Sequence, residues 1–152
     1  MKNLIYKFDY ATLNFLKRHY VTIARWSIFL VYFWFGGLKL FGLSPAGPLV
    51  QSLFDSTIPI MDFDTFFILF ALFEMLIGVL FLVKGAERLV ILLLILHLVA
   101  TALPLLILPE ITWQQFLVPT LEGQYIIKNI LIIALALVIV AKIDFLANKK
   151  RP

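Results

Sequence analysis

The chain is predicted to be an all-α, polytopic membrane four-helix bundle with an N-terminal amphipathic surface helix. Three observations predict this. Of its 152 residues, 62% are hydrophobic, and the mean hydropathy is +1.01, whereas a soluble domain is nearer half apolar. Four apolar segments, near residues 21–42, 63–83, 86–108 and 124–146, each supply the roughly 20 helical residues that cross about 30 Å of hydrocarbon. The basic residues are confined to alternate connections between those segments, as expected for a chain that threads a bilayer.

Residues 1–20 differ from the rest of the chain. Leu4, Ile5, Phe8, Leu13, Phe15 and Leu16 are interleaved with Lys2, Lys7, Asp9, Lys17 and Arg18. That pattern predicts an amphipathic helix lying on the membrane surface. It lacks the compact apolar core and small-residue cleavage site of a signal peptide. Residues 21–146 form the four-span domain, and residues 147–152 a short basic tail. The stretch "VKGAERL" (83–89) predicts a tight turn between the second and third spans. The connections 43–62 and 109–123 are longer and mix Pro and Gly with Leu, Phe and Trp113. They read as lids lying at the interface, or, for Trp113, as an aromatic anchor there.

Eleven of the thirteen lysines and arginines lie in the N-terminal region, the 83–89 turn or the C-terminal end. The two long loops carry none, and hold Asp55, Asp62, Glu110 and Glu122 instead. Four spans place both termini on one side, so the termini are expected to be cytoplasmic and the long loops external. This topology accounts for the net charge of +4, leaving no reason to invoke a nucleic-acid partner; the lipid bilayer is the expected one. The absence of cysteine excludes disulfides, thiolate catalysis and Cys-ligated iron–sulfur clusters within the chain. With only His19 and His97, no metal or haem site is expected.

The candidate site consists of ionisable residues at membrane depth. Lys39 and Lys128 lie about one turn from the outer ends of their spans, Glu74 near the middle of the second and His97 near the middle of the third. Such residues cost several kcal/mol in lipid and normally face a bundle interior. At about 100° per residue, Arg25, Tyr32, Gly36 and Lys39 share one stripe of the first helix. Gly36 on that stripe would let a backbone or ligand approach closely. Glu74 shares its face with Phe67, Phe70, Gly78 and Phe81, and His97 with Thr101 and Pro104. Gln124 and Lys128 align with Lys142. Either Lys39 or Arg25 is expected to partner Glu74. Three bases against one acid leave an excess of positive charge, which predicts a cavity for an anion or a carbonyl-bearing ring such as a quinone. Glu74 and His97 are the candidates for carrying protons; no catalytic residue is assigned.

The stretches "ARWSIFLVYFWFGGLKL", "FEMLIGVLFL", "RLVILLLILHLVATALPLL" and "LEGQYIIKNI" together resemble the DoxX-like superfamily, nearest the branch of the reactive-chlorine-resistance inner-membrane protein. The matching residues are Arg25; Phe33 or Trp34 with Gly36 and Lys39; Glu74 and Gly78; Pro104 and Leu105; and Gly123 with Lys128. Asn129 stands where that pattern has Asp, which removes a negative charge beside Lys128. The resemblance covers about residues 20–146. It implies a multi-pass protein of the bacterial inner membrane, and several such proteins associate with redox partners. The expected function is a redox-associated membrane subunit with a quinone-like or small-anion site opening outward, built from Lys39, Lys128, Glu74, Gly36 and Arg25. The alternatives are a small-anion transporter and a non-catalytic assembly or scaffold subunit. A redox partner protein would supply the electrons, since the chain has no evident carrier of its own, and a homo-oligomer is compatible with the sequence.

Overall fold

A computed structural model describes residues 2–57 and 61–148, with side chains over 9–57 and 61–142. The tail 147–152 falls mostly outside those residues, as do the side chains of Lys2, Lys7, Leu4, Ile5 and Phe8. The chain is helical apart from its connections: α1 (Lys2–Leu40), α2 (Gly47–Thr57), α3 (Phe63–Leu82), α4 (Glu87–Ala102), α5 (Pro104–Ile107), α6 (Pro109–Thr112), β1 (Trp113–Gln115), β2 (Val118–Pro119), α7 (Leu121–Ile127) and α8 (Ile130–Asn148). Among the described residues, four helical stretches are long and apolar enough to cross a membrane: Asp9–Leu40, Phe63–Leu82, Glu87–Ile107 and Leu121–Lys142.

The surface helix expected over 1–20 and the first span form one unbroken helix. α1 has 39 residues, about 58 Å at 1.5 Å per residue, nearly twice the hydrocarbon thickness. No proline or glycine interrupts it before Gly36, so the backbone ladder continues through the change from polar to apolar sequence. The side chains from Asp9 to Lys17 are exposed.

α1 packs chiefly on the antiparallel α3, through a glycine from each helix. A Cβ at Gly36 would lie 2.7 Å from Met75 Cγ and 2.9 Å from the Ala71 carbonyl oxygen, and one at Gly78 would lie 3.2 Å from the Phe29 carbonyl and Tyr32 Cβ. Two missing side chains thus bring the backbones together. Below this contact Ala24, Ile28, Ile77, Phe81, Val90, Leu94, Ala136 and Ile139 pack as a continuous apolar core drawn from all four spans. The outward faces carry large exposed apolar side chains such as Trp26, Leu30, Leu92 and Leu137, as a lipid-facing surface requires.

The third and fourth spans are interrupted. Pro104 has no N–H to continue the ladder, and α4 gives way there to the short α5. The fourth span breaks at Lys128–Asn129, where the Asn129 N–H bonds Ile126 O at 3.1 Å rather than the carbonyl four residues back. The expected tight turn forms around Gly85, whose φ is 92°.

Both long connections carry structure. Asp62 caps α3 by accepting the Thr65 N–H at 2.8 Å. α2 lies against the bundle through Phe54, whose ring meets Phe66 at 4.8 Å and Phe63 at 5.8 Å. The second connection folds into α6 and the β1–β2 hairpin. Its tip exposes Phe116 and Leu117, with Leu117 at φ 58°. Trp113 is half-buried and donates its indole N–H to Leu105 O at 3.0 Å, which ties the hairpin to α5. Thr112 is fully buried and donates to Leu108 O. Gly123 lies so close to the Thr112 carbonyl that any Cβ there would collide with it.

Candidate functional site

Four ionisable side chains meet inside the bundle. The Lys39 ammonium donates to Glu74 Oε2 at 2.5 Å. The other carboxylate oxygen, Oε1, lies 2.9 Å from His97 Nε2. His97 Nδ1 lies 3.1 Å from the Tyr32 hydroxyl. The result is one chain, Tyr32–His97–Glu74–Lys39, drawn from α1, α3 and α4. Its members are only 4%, 5%, 6% and 7% exposed, in that order. Among the described residues no buried side-chain nitrogen or oxygen lacks a hydrogen-bond partner.

The packing of α1 on α3 explains why Lys39 is the partner of Glu74. Gly36 sits beside Ala71 and Met75, so Lys39, one turn further along α1, stands near the level of Phe70. From there its long stem reaches back along α3 to Glu74. The ammonium also lies 5.5 Å from the centre of the Phe70 ring, a cation–π contact that partly replaces lost hydration.

Aromatic rings wall the chain. Phe70 stacks on His97 with centroids 5.3 Å apart and planes 14° from parallel. Phe66 stacks on Phe70 at 5.8 Å and 9°, and Phe54 of α2 packs on Phe66. A column of rings therefore leads from the loop-side helix α2 down to the imidazole.

The structure brings Lys39, Glu74 and His97 together and places Gly36 in the helix contact that aligns them. It does not bring Arg25 or Lys128 to them. Arg25 stands seven residues before Tyr32 on α1 and binds at the opposite end of the bundle. Its guanidinium donates to Phe81 O at 3.0 Å and forms an ion pair with Glu87, joining α1 to the end of α3 and the start of α4. Lys128 is exposed, with its ammonium 5.3 Å from the centre of the Tyr125 ring. The expected excess of positive charge is therefore absent from the cluster: Lys39 is matched by Glu74 and Arg25 by Glu87. Glu87, at the start of α4, is the ion-pair partner of Arg25.

Tyr32 is the member that sequence reasoning did not select. It lies on the stripe shared by Arg25, Gly36 and Lys39, and that was the available signal. Its contact with His97, 65 residues away, depends on how α4 is seated against α1, which local periodicity does not encode.

Comparison with protein-family models, with curated proteins and with solved structures yields no match.

Proposed function

We propose that this chain is a redox-associated subunit of the bacterial cytoplasmic membrane that binds a quinone-like ring at the Tyr32–His97–Glu74–Lys39 chain, with the long loops external and both termini cytoplasmic. The observation that carries this reading is the chain itself: four hydrogen-bonded ionisable groups in an apolar bundle, beside the stacked rings of Phe66 and Phe70. A quinone ring is planar and apolar, so it suits a site walled by aromatic side chains such as Phe66 and Phe70. Its carbonyl oxygens accept hydrogen bonds, which the Lys39 ammonium and the Tyr32 hydroxyl can donate. Its reduction consumes two electrons and two protons. The residues of this chain would bind, orient and hold protons, and a partner protein would deliver the electrons. The resemblance to DoxX-like proteins supports the same reading, as do the alternation of basic and acidic connections and the polar face of residues 1–20, which suits the cytoplasmic membrane surface.

The balanced charges do not favour a small-anion transporter, since a free anion would meet a carboxylate already paired with the only lysine there. A scaffold role has one observation in its favour. The network is complete without a ligand, and it lies beside the Gly36 and Gly78 contacts, as a device for fixing helix register would.

Thermal unfolding of the detergent-purified protein with and without menadione separates these readings. A ligand that binds the folded state raises the melting temperature. Stabilisation is expected in the wild type, with a large loss in Tyr32→Phe and in Lys39→Met. No stabilisation of the wild type, or equal stabilisation of all three proteins, would leave the scaffold reading in its place.

A further inference from the structure

We propose that two copies of this chain pair in parallel along the outward face of α1, so that the protein is a homodimer with its two-fold axis along the membrane normal. The pairing uses the side of α1 away from the Tyr32–His97–Glu74–Lys39 chain and does not rest on the ligand reading.

α1 carries a second periodicity. Leu13, Leu16, Tyr20, Ile23, Ser27, Leu30 and Trp34 follow one another at alternating steps of three and four residues, the spacing by which two helices meet along a shared seam. At about 100° per residue they fall on the side of α1 opposite Ala24, Ile28 and Tyr32, which face the core. All are exposed, the six large ones by 36% to 63%. The same steps continue through Gly37, where a methyl group would have open space, to the exposed Phe41. Asp9, four residues before Leu13, closes the stripe at its other end. A groove of about 380 Å³ opens on this face, lined by Thr22, Ile23, Trp26, Ser27, Phe29 and Leu30. Ile23, Trp26, Ser27 and Leu30 stand at the four positions that form a hole for an incoming side chain in a parallel helix pair. Ser27, the small residue of the stripe, lets the backbones approach there, and its hydroxyl can bond across the axis.

The length of α1 decides what covers this face. Counted back from Leu40, about 20 residues cross the hydrocarbon. Leu13, Leu16 and Tyr20 therefore stand at or beyond its terminal-side edge, while Ile23, Leu30 and Trp34 lie within it. Lipid surrounds a helix without following a seven-residue repeat, and it does not reach the part of an unbroken helix that stands outside the bilayer. In that part Phe15, off the stripe, packs its ring on His19 with centroids 4.7 Å apart, whereas Leu13 and Leu16 stay exposed. A seam that passes from lipid into water calls for a second helix that does the same, and another α1 is such a helix. Both copies insert the same way, so their α1 helices run parallel and each stripe residue faces its own equivalent. No charged residue lies on the stripe between Leu13 and Phe41, so no like charges meet. Lys17, beside it, falls opposite Thr12 of the second copy in the register of a parallel pair, and Arg18 points to the far side. From Leu13 to Phe41 the stripe runs about 42 Å on a helix about 11 Å wide. Counted flat, that is about 900 Å² over both copies, and the relief of the side chains takes it to the roughly 1,000 Å² that a specific interface needs.

The chain has no cysteine, so single cysteines report the pairing directly. Leu16→Cys, Ile23→Cys and Leu30→Cys, each one heptad apart, are expected to give a disulfide-linked dimer on mild oxidation in phosphatidylcholine vesicles. A disulfide forms only where two Cα atoms come within about 7 Å. Ala11→Cys and Arg18→Cys, exposed on the far side of the same helix, are expected to stay monomeric on a non-reducing gel. Single-molecule photobleaching of the fluorescently tagged wild type at a low protein-to-lipid ratio is expected to show two steps. Leu16→Lys, which sets two like charges face to face, is expected to shift that population to one step. Single-step bleaching of the wild type would overturn the pairing, as would cross-links of equal yield at every position or none at the three stripe positions; the stripe would then belong to lipid. Stripe cysteines that capture a different protein in intact cells, and never a second copy, would overturn it as well. No quinone enters these measurements, so their outcome and that of the menadione experiment are independent.

Discussion

Glu74 accepts from two partners at once, and its removal should be felt accordingly. In Glu74→Leu the Lys39 ammonium stays buried without its counter-charge, a situation that costs roughly 3–5 kcal/mol in buried pairs. The double variant Lys39→Met/Glu74→Leu should recover most of that loss, because apolar replacements of a buried pair are often neutral. Unfolding in detergent measures both. Glu110→Gln, at an exposed loop position, should leave stability unchanged. Glu87 cannot serve as that control, because it pairs with Arg25. At this scale the sequence was informative about cost and poor about pairing. The depth of Glu74 marked it as partnered, since a short side chain cannot reach an interface from mid-membrane. Position along the helices left Lys39 and Arg25 both open as its partner. The close approach at Gly36 and the length of the lysine stem decide for Lys39. Lys128 was legible as an anomaly, but its face depends on the break at Asn129, which no residue there announces.

Among the elements, the α1–α3 contact makes the sharpest forecast. Gly36→Ala places its Cβ against the Ala71 carbonyl, a backbone atom that cannot swing aside. The helices must separate and the Lys39–Glu74 bond must lengthen, so lower stability and weaker menadione binding should appear together. A Cβ at Gly37 meets nothing within 4 Å, and Gly37→Ala should gain up to about 1 kcal/mol from helix propensity. Equal effects at the two positions would contradict the packing described. The start of α3 adds a pH dependence. Hydrogen bonds from Thr65, its backbone N–H first, hold the Asp62 carboxyl below its ordinary range. A group whose folded-state pKa is lowered stabilises above its unfolded value, and that contribution fades as pH falls through the lower folded value. Wild-type stability should therefore decline on acidification below the ordinary carboxylate range, and Asp62→Ala should show a smaller decline. Hydropathy located the four spans to within a few residues at most ends. It missed the fusion of residues 2–20 with the first span, because backbone hydrogen bonding is indifferent to polarity. The hairpin was also illegible: its turn has Leu117 in a left-handed conformation, where the recognisable signal would be Asn or Gly.

Across the whole molecule, the separation of basic termini from acidic loops predicts orientation. In intact cells a cysteine at Ser52 should react with an impermeant reagent, and one at Asn148 should not; the reverse pattern would invert the topology. The distribution of polar contacts follows the same axis. Arg25–Glu87 clamps the terminal end, the four-residue chain lies toward the loops, and an apolar seal separates them. Lys142 lies 5.7 Å from the centre of the Tyr20 ring and ties α8 to α1 near the terminal end. Helical periodicity had already placed Tyr32, Gly36 and Lys39 on one stripe and Glu74 with Gly78 on another. What it lacked was the register between stripes, a property of the assembled bundle. That register makes the central claim, that Tyr32, His97, Glu74 and Lys39 act as one unit, open to a single decisive measurement. A double-mutant cycle on Tyr32→Phe and Lys39→Met, read by unfolding in detergent, joins the two ends of the chain, which hydrogen bonds link through His97 and Glu74. Action as one unit predicts a coupling of roughly 0.5–3 kcal/mol, the range for residues sharing one network; strictly additive losses would show that the four side chains are separate contacts and would contradict the claim.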